Sequence, residues 1–366
     1  MELTRTDDLS DEVDALARRY AGRVGLDGVL GALDRKLRRT VAPCLSRHRA
    51  WTWDAHDRRD REWWPQGVSP GPRPEVLGVT WYAKSGGSRL SVLDLAARRY
   101  RHVMFVRPTA EGYDPLRIHA GGLAWIGTRL HVAATRAGLW VADTDDIVRA
   151  DGEFVLPVRH RLSATGTEDE PLRFSFVAAV PGRPDELVLG EYGNRRQTRR
   201  IAHVAATRAG LWVADTDDII RTSEGLVLPV RHRLSATTTA DEPLRFSFVA
   251  AVPGRPDELV LGEYGNRRQT RRIAHVAADG GPIDVGDGQV VRAQGIVHVD
   301  GMYALTASHG PWTPGSLWVG RPGELRERRW ALPMGPEDLA CSLDGHRLWT
   351  VTEHPRRRWI VSLPRP

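Results

Sequence analysis

A short strand-opening motif recurs along this chain, and its spacing limits the fold more than any other feature. It reads PQGV at Pro65, HAGG at His119, RFSF at Arg173 and again at Arg245, AQGI at Ala293 and PEDL at Pro336. A second strand follows each opening closely: VLGVTWYA, RLHVAAT, ELVLGEYG twice, MYALTAS and RLWTVTEH. A third then follows: RLSVLDL, GLWVADT, RRIAHVA twice, SLWVGRP and RWIVSLP. With Gln66, His119, Phe174, Phe246, Gln294 and Glu337 as markers, the spacings are 53, 55, 72, 48 and 43 residues. These runs have a period of two, are rich in Val, Leu, Trp and Phe, and are bounded by Gly, Pro or Asp. No helical segment of ordinary length separates them, which argues against a parallel α/β sheet. Units of this length with about four short strands each are the blades of a β-propeller, and solenoids with shorter repeats fit worse.

The 72-residue spacing has its own cause. Residues 131–202 and 203–274 differ only at positions 148, 150–154, 166 and 168 against their partners 72 later. The other units resemble one another only faintly, so this likeness marks a recent segmental duplication. HVAA, present at His131, His203 and His275, is the natural crossover point. The substitutions fall in VRADGEF against IRTSEGL and in GTEDE against TTADE, turn-like stretches where change is tolerated. The fold expected is all-β: a propeller of six unequal blades, five plus the duplicated segment, with an N-terminal helical extension. Seventy-two residues hold about one blade and a half, so GLWVADT or LVLPVRH in the second copy should be a surplus edge strand or a loose hairpin.

The extension is assigned to residues 1–47 and the propeller to 48–366. From Ser10, a capping residue, Asp11 and Glu12 suit a helix N-terminus, and Val13, Leu16, Ala17 and Tyr20 recur at helical spacing. Leu26, Val29, Leu30, Leu33 and Leu37 read as a second helix. The last blade lacks a fourth strand after RRRWIVSLPRP, and HRAWTWDAHD, with Trp51 and Trp53 on one face, is the strand expected to complete it.

The formal charge of +6 raises nucleic acid as a partner, but Lys36 and Lys84 are the only lysines and the arginines alternate with acids, as in PGRPDELVLGEYGNRRQTRR. Arg-for-Lys usage of this kind suggests a GC-rich bacterial genome, and no nucleic-acid partner is expected. Cys44 and Cys341 show no CxxC or Cys/His spacing, and the acidic, polar N-terminus does not read as an export signal. No apolar run reaches the ~20 residues that span a bilayer. A cytoplasmic protein with no membrane partner is expected; the oligomeric state is left open.

In a propeller, the start of the first strand and the end of the second emerge on one face. Strand starts bring Gln66, His119, Arg173, Ser175, Arg245, Ser247, Gln294, Glu337 and Asp338 there. Second-strand ends bring Trp81, Tyr82, Lys84, Glu191, Glu263, Ser308, His309, Glu353 and His354. Paired carboxylates beside a histidine can split their pKa values and act as acid and base. The same oxygens, with Gln66 or Gln294 carbonyls, can ligate Ca²⁺ or Mg²⁺. They can equally serve as structural acceptors for backbone amides of the neighbouring blade. The acids of ADTDDI lack the Gly and distal Glu of a calcium loop and read as a solvated turn.

The PQG, AQG and PED openings resemble those of propellers of the gluconolactonase, strictosidine-synthase and streptogramin-lyase kind. The stretch from WWPQGV to TEHPRRRW also looks like uncharacterised propeller proteins of GC-rich bacteria, many of them exported. The resemblance implies a site at the tunnel mouth, often with a divalent cation, and Glu337 and Asp338 match its PED element. Arg173 and Arg245 stand where carboxylate or Asn ligands would be expected. On this basis the chain is expected to act on a small molecule at the tunnel mouth, as a hydrolase, lyase or cyclase-isomerase. Glu337 and Asp338 would be acid/base groups or metal ligands, and His119 and His354 proton carriers. Arg173 or Arg245 would anchor an anion, and Gln66, Gln294, Trp81, Tyr82, Glu191, Glu263, His309 and Glu353 would contact substrate. No cofactor is required by the sequence, although a divalent cation fits. The alternative is a non-catalytic propeller that binds a protein or a ligand.

Overall fold

In a computed structural model of the chain, described backbone covers residues 2–134, 139–165, 174–180, 183–191, 201–205, 220–222, 225–229, 246–252, 255–263, 272–277, 283–287, 290, 292–299, 302–321, 324–342 and 344–365. Side chains are described for 6–134, 139–161, 290, 292–297, 302–321, 324–342 and 344–365.

Four antiparallel strands, Trp63–Pro70, Val76–Ala83, Ser88–Asp94 and Arg99–Thr109, form the first sheet in simple up-and-down order. Gly122–Ile126, Arg129–Ala133, Leu139–Asp143 and Glu153–Thr165 repeat the arrangement. The outer strands of these two sheets meet in parallel, with Val155 opposite Met104 and Leu156 opposite Phe105. Phe174–Val180, Arg183–Glu191 and Ile201–Ala205 form a three-stranded sheet. Phe246–Val252, Arg255–Glu263, Arg272–Ala277 and Ile283–Asp287 form a four-stranded one, as do Ala293–Val299, Met302–Ala307, Pro314–Gly320 and Arg326–Met334.

Pro336–Cys341, Arg347–Thr352 and Trp359–Pro364 are completed by Arg49–Thr52 from the N-terminal part, with Ile360 opposite Trp51 and Val361 opposite Ala50. Arg38–Thr40 adds a further edge. The first strands of these sheets contact one another in succession, and Pro336–Cys341 returns to Trp63–Pro70. This is the radial arrangement of a β-propeller.

The apolar layers lie between sheets, as alternation of side chains on each strand requires. Trp51, Trp53, Trp349, Val351 and Ile360 meet Val68, Leu77, Val79 and Trp81 across the junction of the last sheet and the first. Trp53 packs edge-on to Trp81 at 4.7 Å and to Tyr100 at 5.0 Å. The expectation that HRAWTWDAHD closes the ring is met by this strand and by these two tryptophans.

Two expectations need correction. The second helix spans only Gly25–Leu30, and Arg35–Lys36 and Arg38–Thr40 are strands. Leu37 follows helical spacing in the sequence, yet it is buried against Trp51 and Tyr100 beside these strands. The first helix, Ser10–Arg19, is preceded by Leu9 without a side-chain cap, because the Ser10 hydroxyl donates to Asp8 instead.

The duplicated stretch resolves as expected in part. A short hairpin, Ile220–Thr222 and Gly225–Pro229, lies outside the three-stranded sheet and pairs with Glu2–Thr6. GLWVADT of the second copy lies outside the described residues.

Adjacent first strands approach closely through glycine. A Cβ on Gly295 would sit 2.4 Å from Leu339 N, and one on Gly67 would sit 2.9 Å from Leu123 N. Backbone atoms cannot yield as side chains can. Gly295→Ala is therefore expected to destabilise the protein by about 2–3 kcal/mol, at the upper end of overpacking costs, read from the urea midpoint.

Candidate active site

Five of the six strand-opening motifs coincide with β-bulges; Gly122–Ile126, after His119, pairs in unbroken register. On the first strand of each of the other five sheets, an extra residue interrupts the register between Pro65 and Val68, Phe174 and Phe176, Phe246 and Phe248, Ala293 and Gly295, and Pro336 and Leu339. A bulge re-aims side chains at a sheet edge or rim. It is these irregular positions that hold Gln66, Ser175, Ser247, Gln294, and Glu337 with Asp338.

Glu337 and Glu353 converge where the last sheet's first strand begins and its second ends. Gly335, with φ of 64°, leads into the bulge, and Glu353 N donates to Gly335 O at 3.2 Å. When one of the two carboxyl groups is protonated, it hydrogen-bonds the other. Burial pushes the Glu337 carboxyl well above the usual range, and the charges of Glu353 and Asp338 add to the effect. Glu353 is also raised by burial, but hydrogen bonds with Gln66 and Glu337 and the Arg358 charge pull it back. Gln66 Nε2 lies 3.4 Å from Glu353 Oε2, and His354 Nδ1 lies 3.5 Å from Glu353 Oε1.

Tyr82 feels the charges of both glutamates, which reinforce the effect of burial in raising its hydroxyl pKa, and its ring lies 4.4 Å from that of His119. Burial lowers the pKa of His119 and, with Arg357 and Arg358, that of His354. His354 Nε2 is buried without a hydrogen-bond partner among the described residues.

Asp338 behaves differently from its neighbour. Its two oxygens accept from Leu339 N at 2.9 Å and from Val68 N at 3.1 Å, which clamps the last sheet to the first. Burial nevertheless pushes its pKa up to about 7. With both oxygens committed, it fits the structural reading of paired carboxylates at strand starts.

The remaining expected residues separate. Trp81 alternates away from Tyr82 and is fully buried between sheets, its Nε1 donating to Ser91 Oγ at 2.8 Å. His309 turns to Ser316 Oγ at 2.9 Å, beside Glu327, and shows no contact with the glutamate pair. Gln294 holds the same place before its glycine as Gln66 does, on the neighbouring first strand, and is half-buried. Arg173 and Arg245 lie outside the described residues; Glu191 and Glu263 are placed as the ends of their strands only.

A second constellation has no counterpart in the sequence reading. Asp57, fully buried in the short helix Ala55–Arg59, accepts from Tyr100 OH at 2.5 Å, His102 Nε2 at 2.8 Å and Arg89 Nη2 at 3.0 Å. Burial opposes ionisation there, but the hydrogen bond from His102, the Arg89 charge and the hydrogen bond from Tyr100 hold Asp57 far below the usual carboxylate range. Burial lowers His102 to about 4, so it is neutral at pH 7. His102 Nδ1 in turn meets Ser91 Oγ at 2.9 Å.

This Asp–His–Ser order resembles a hydrolytic triad, yet Ser91 is fully buried and its hydroxyl is already engaged by Trp81 and His102. His56, Asp57 and Asp60 also lie within ligating distance of one another. A cation does not fit there, because Asp57 is already surrounded by Arg35 at 3.4 Å and Arg89 at 3.0 Å. Asp146 of ADTDDI is likewise taken up by Arg23 and Arg159. Cys44 and Cys341 are not joined by a disulfide, and both pack against the same apolar cluster. Among the described residues no helix is long and apolar enough to cross a membrane.

No known family model matches the sequence, and no curated protein matches it. Among solved structures the chain is similar to a gluconolactonase from Xanthomonas campestris, with a TM-score of 0.53 and 13% identity over 91% of this chain and 96% of that one. It is also similar to the hydrazine synthase of Kuenenia stuttgartiensis, with a TM-score of 0.46 and 11% identity over 81% and 76% of the two chains. The Dos1 propeller gives a TM-score of 0.44 and 9% identity over 83% and 92%. At such identities the likeness speaks to the fold alone, and that fold is a β-propeller.

Proposed function

We propose that this chain is an enzyme acting on a small molecule at the mouth of a six-bladed ring, five blades plus the duplicated one, with residues 1–47 as an extension. Acid/base hydrolysis is the reaction class favoured. The observation that carries this reading is the hydrogen-bonded Glu337–Glu353 pair, in which burial raises both carboxyls. Such a pair keeps a proton to higher pH than a lone carboxyl does, which leaves one acid and one base within reach of the same substrate atom. Arg358 pulls Glu353 down, so Glu353 is the base and Glu337 the acid. Gln66 and Tyr82 would orient the substrate, and His119 and His354 would carry protons outward.

The same oxygens suit a hard cation such as Ca²⁺ or Mg²⁺, because two converging carboxyls gain from a cation as they gain from a shared proton. Glu337 and Glu353, with the Gln66 carbonyl, would hold it; Asp338 would not, its oxygens being committed to backbone amides. When bound, the ion would polarise a carbonyl oxygen of the substrate.

The gluconolactonase likeness makes lactones and simple esters the first compounds to test. Glu337→Gln is expected to lower turnover by about 10²–10⁴-fold, the range of acid/base contributions. Stability provides a second readout. The folded carboxyl of Glu337 has a raised pKa, so its contribution is complete below its unfolded value and is lost as pH rises through the folded one. The Tm of Glu337→Gln relative to the parent should therefore climb between pH 5 and pH 8. Unchanged turnover in the variant on every hydrolysable compound would sink the enzyme reading. The rival, a binding module, is favoured by Val41, Leu45 and Trp330, which are 80%, 74% and 52% exposed. Under it the variant would leave partner capture intact.

A further inference from the structure

We propose that Arg358 is a positioning residue, a buried strut that holds Glu353 and the strand carrying Gln66 in one fixed relation. The inference rests on the reading of Glu337 and Glu353 as the acid/base pair.

The Arg358 side chain is fully buried, and no carboxylate lies within ion-pair distance of it among the described residues. Its donors go instead to three backbone carbonyls from three separate segments. Nε donates to Glu353 O at 2.8 Å, Nη1 to Asp57 O at 2.5 Å and Nη2 to Trp63 O at 2.6 Å. Burying an unpaired guanidinium is costly, and this site spends it on geometry rather than on charge pairing. A planar fork fixes all three carbonyls relative to one another, which a flexible ammonium cannot do.

Each carbonyl has a role. Glu353 is the base of the pair. Trp63 opens the strand that reaches Gln66 three residues later, and the Gln66 amide meets Glu353 Oε2. Asp57 is the ground on which the strut stands, its carboxylate held by Tyr100, His102 and Arg89. One side chain thus joins the polar centre of the first sheet to the acid pair of the last. Its charge also contributes to the lowering of Glu353.

The test is a proton titration that needs no substrate. With a chelator present throughout, so that no cation occupies the pair, proton release between pH 4 and pH 9 is measured for the parent, Arg358→Lys and Arg347→Lys, each with its Glu337→Gln counterpart subtracted. Groups facing the pair, Asp338, Tyr82, His119 and His354, cancel to first order in that difference. Arg347 is the control: it lies on the same sheet and also bonds a backbone carbonyl, that of Ser362 at 3.0 Å, but it makes no contact with the pair.

The pair in the parent should titrate in two steps. In Arg358→Lys the separation between those steps should shrink at least tenfold in the ratio of their constants. Arg347→Lys should lower the Tm and leave the steps alone. If Arg358→Lys does not fold, Arg358→Gln, shorter and neutral, replaces it, with the same collapse expected. Unchanged steps in the Arg358 variant, or equal change in the Arg347 control, would overturn the proposal. Failure of the enzyme reading looks different: the steps would still depend on Arg358, while no compound is turned over by the parent.

Discussion

Asp57→Ala is expected to remove about 3–5 kcal/mol of stability, the cost of breaking a buried ion pair from one side. A domain of this kind has about 5–15 kcal/mol in total, so the variant should be recovered poorly or with a sharply lowered urea midpoint. The cause is what alanine leaves behind. Arg89, 6% exposed, would lose its carboxylate partner, and Tyr100 and His102 would lose their acceptor, while Arg35 would keep Asp54 at 2.8 Å. Asp57→Asn keeps the shape and a single acceptor oxygen, and it should cost nearly as much because the buried Arg89 guanidinium remains unneutralised. A loss below about 1 kcal/mol in either variant, the scale of an exposed ion pair, would show that the cluster holds nothing together.

Deleting residues 203–274 is expected to leave a folded, smaller ring. The cut joins Ala202 to His275, and the strand IAHVA is restored with its sequence intact. In the full chain, Arg183–Glu191 pairs with Ile201–Ala205 in the same register as Arg255–Glu263 pairs with Arg272–Ala277. After the deletion, the joined strand would gain Ile283–Asp287 as its outer neighbour, which the three-stranded sheet lacks. Glu2–Thr6 would keep its pairing with Glu153–Thr165 and lose only Leu228 and Pro229. Soluble protein with one cooperative thermal transition is the expected result. Recovery of aggregated or molten material alone would contradict the serial-unit account of the duplication.

The strands were legible because period-two alternation and turn residues act locally. The recurring PQG, AQG and PED openings were legible for a subtler reason: a bulge requires small or polar residues at fixed positions, and so it leaves a motif. The closing strand could be found from a deficit, since the last blade lacked a partner and Trp51 and Trp53 offered one apolar face. Trp81 and Tyr82 were taken together because both end a strand, although adjacent residues there point to opposite faces.

The Asp57 cluster was illegible. Arg35, Asp57, Arg89, Tyr100, His102 and Arg358 are scattered over the whole chain, and DAHD reads in the sequence as part of the closing strand, whereas Ala55–Arg59 is a short helix. Only the ring's closure brings them to one point. Glu353 was found as a strand end, but nothing in TEHP announces that its partner would be Glu337 rather than the adjacent His354.

Arg49–Thr52 completes the sheet formed by Pro336–Cys341, Arg347–Thr352 and Trp359–Pro364. During synthesis Trp51 therefore stays uncovered until Trp359–Pro364 has emerged from the ribosome. A truncation that removes either strand leaves a raw edge where the two now meet.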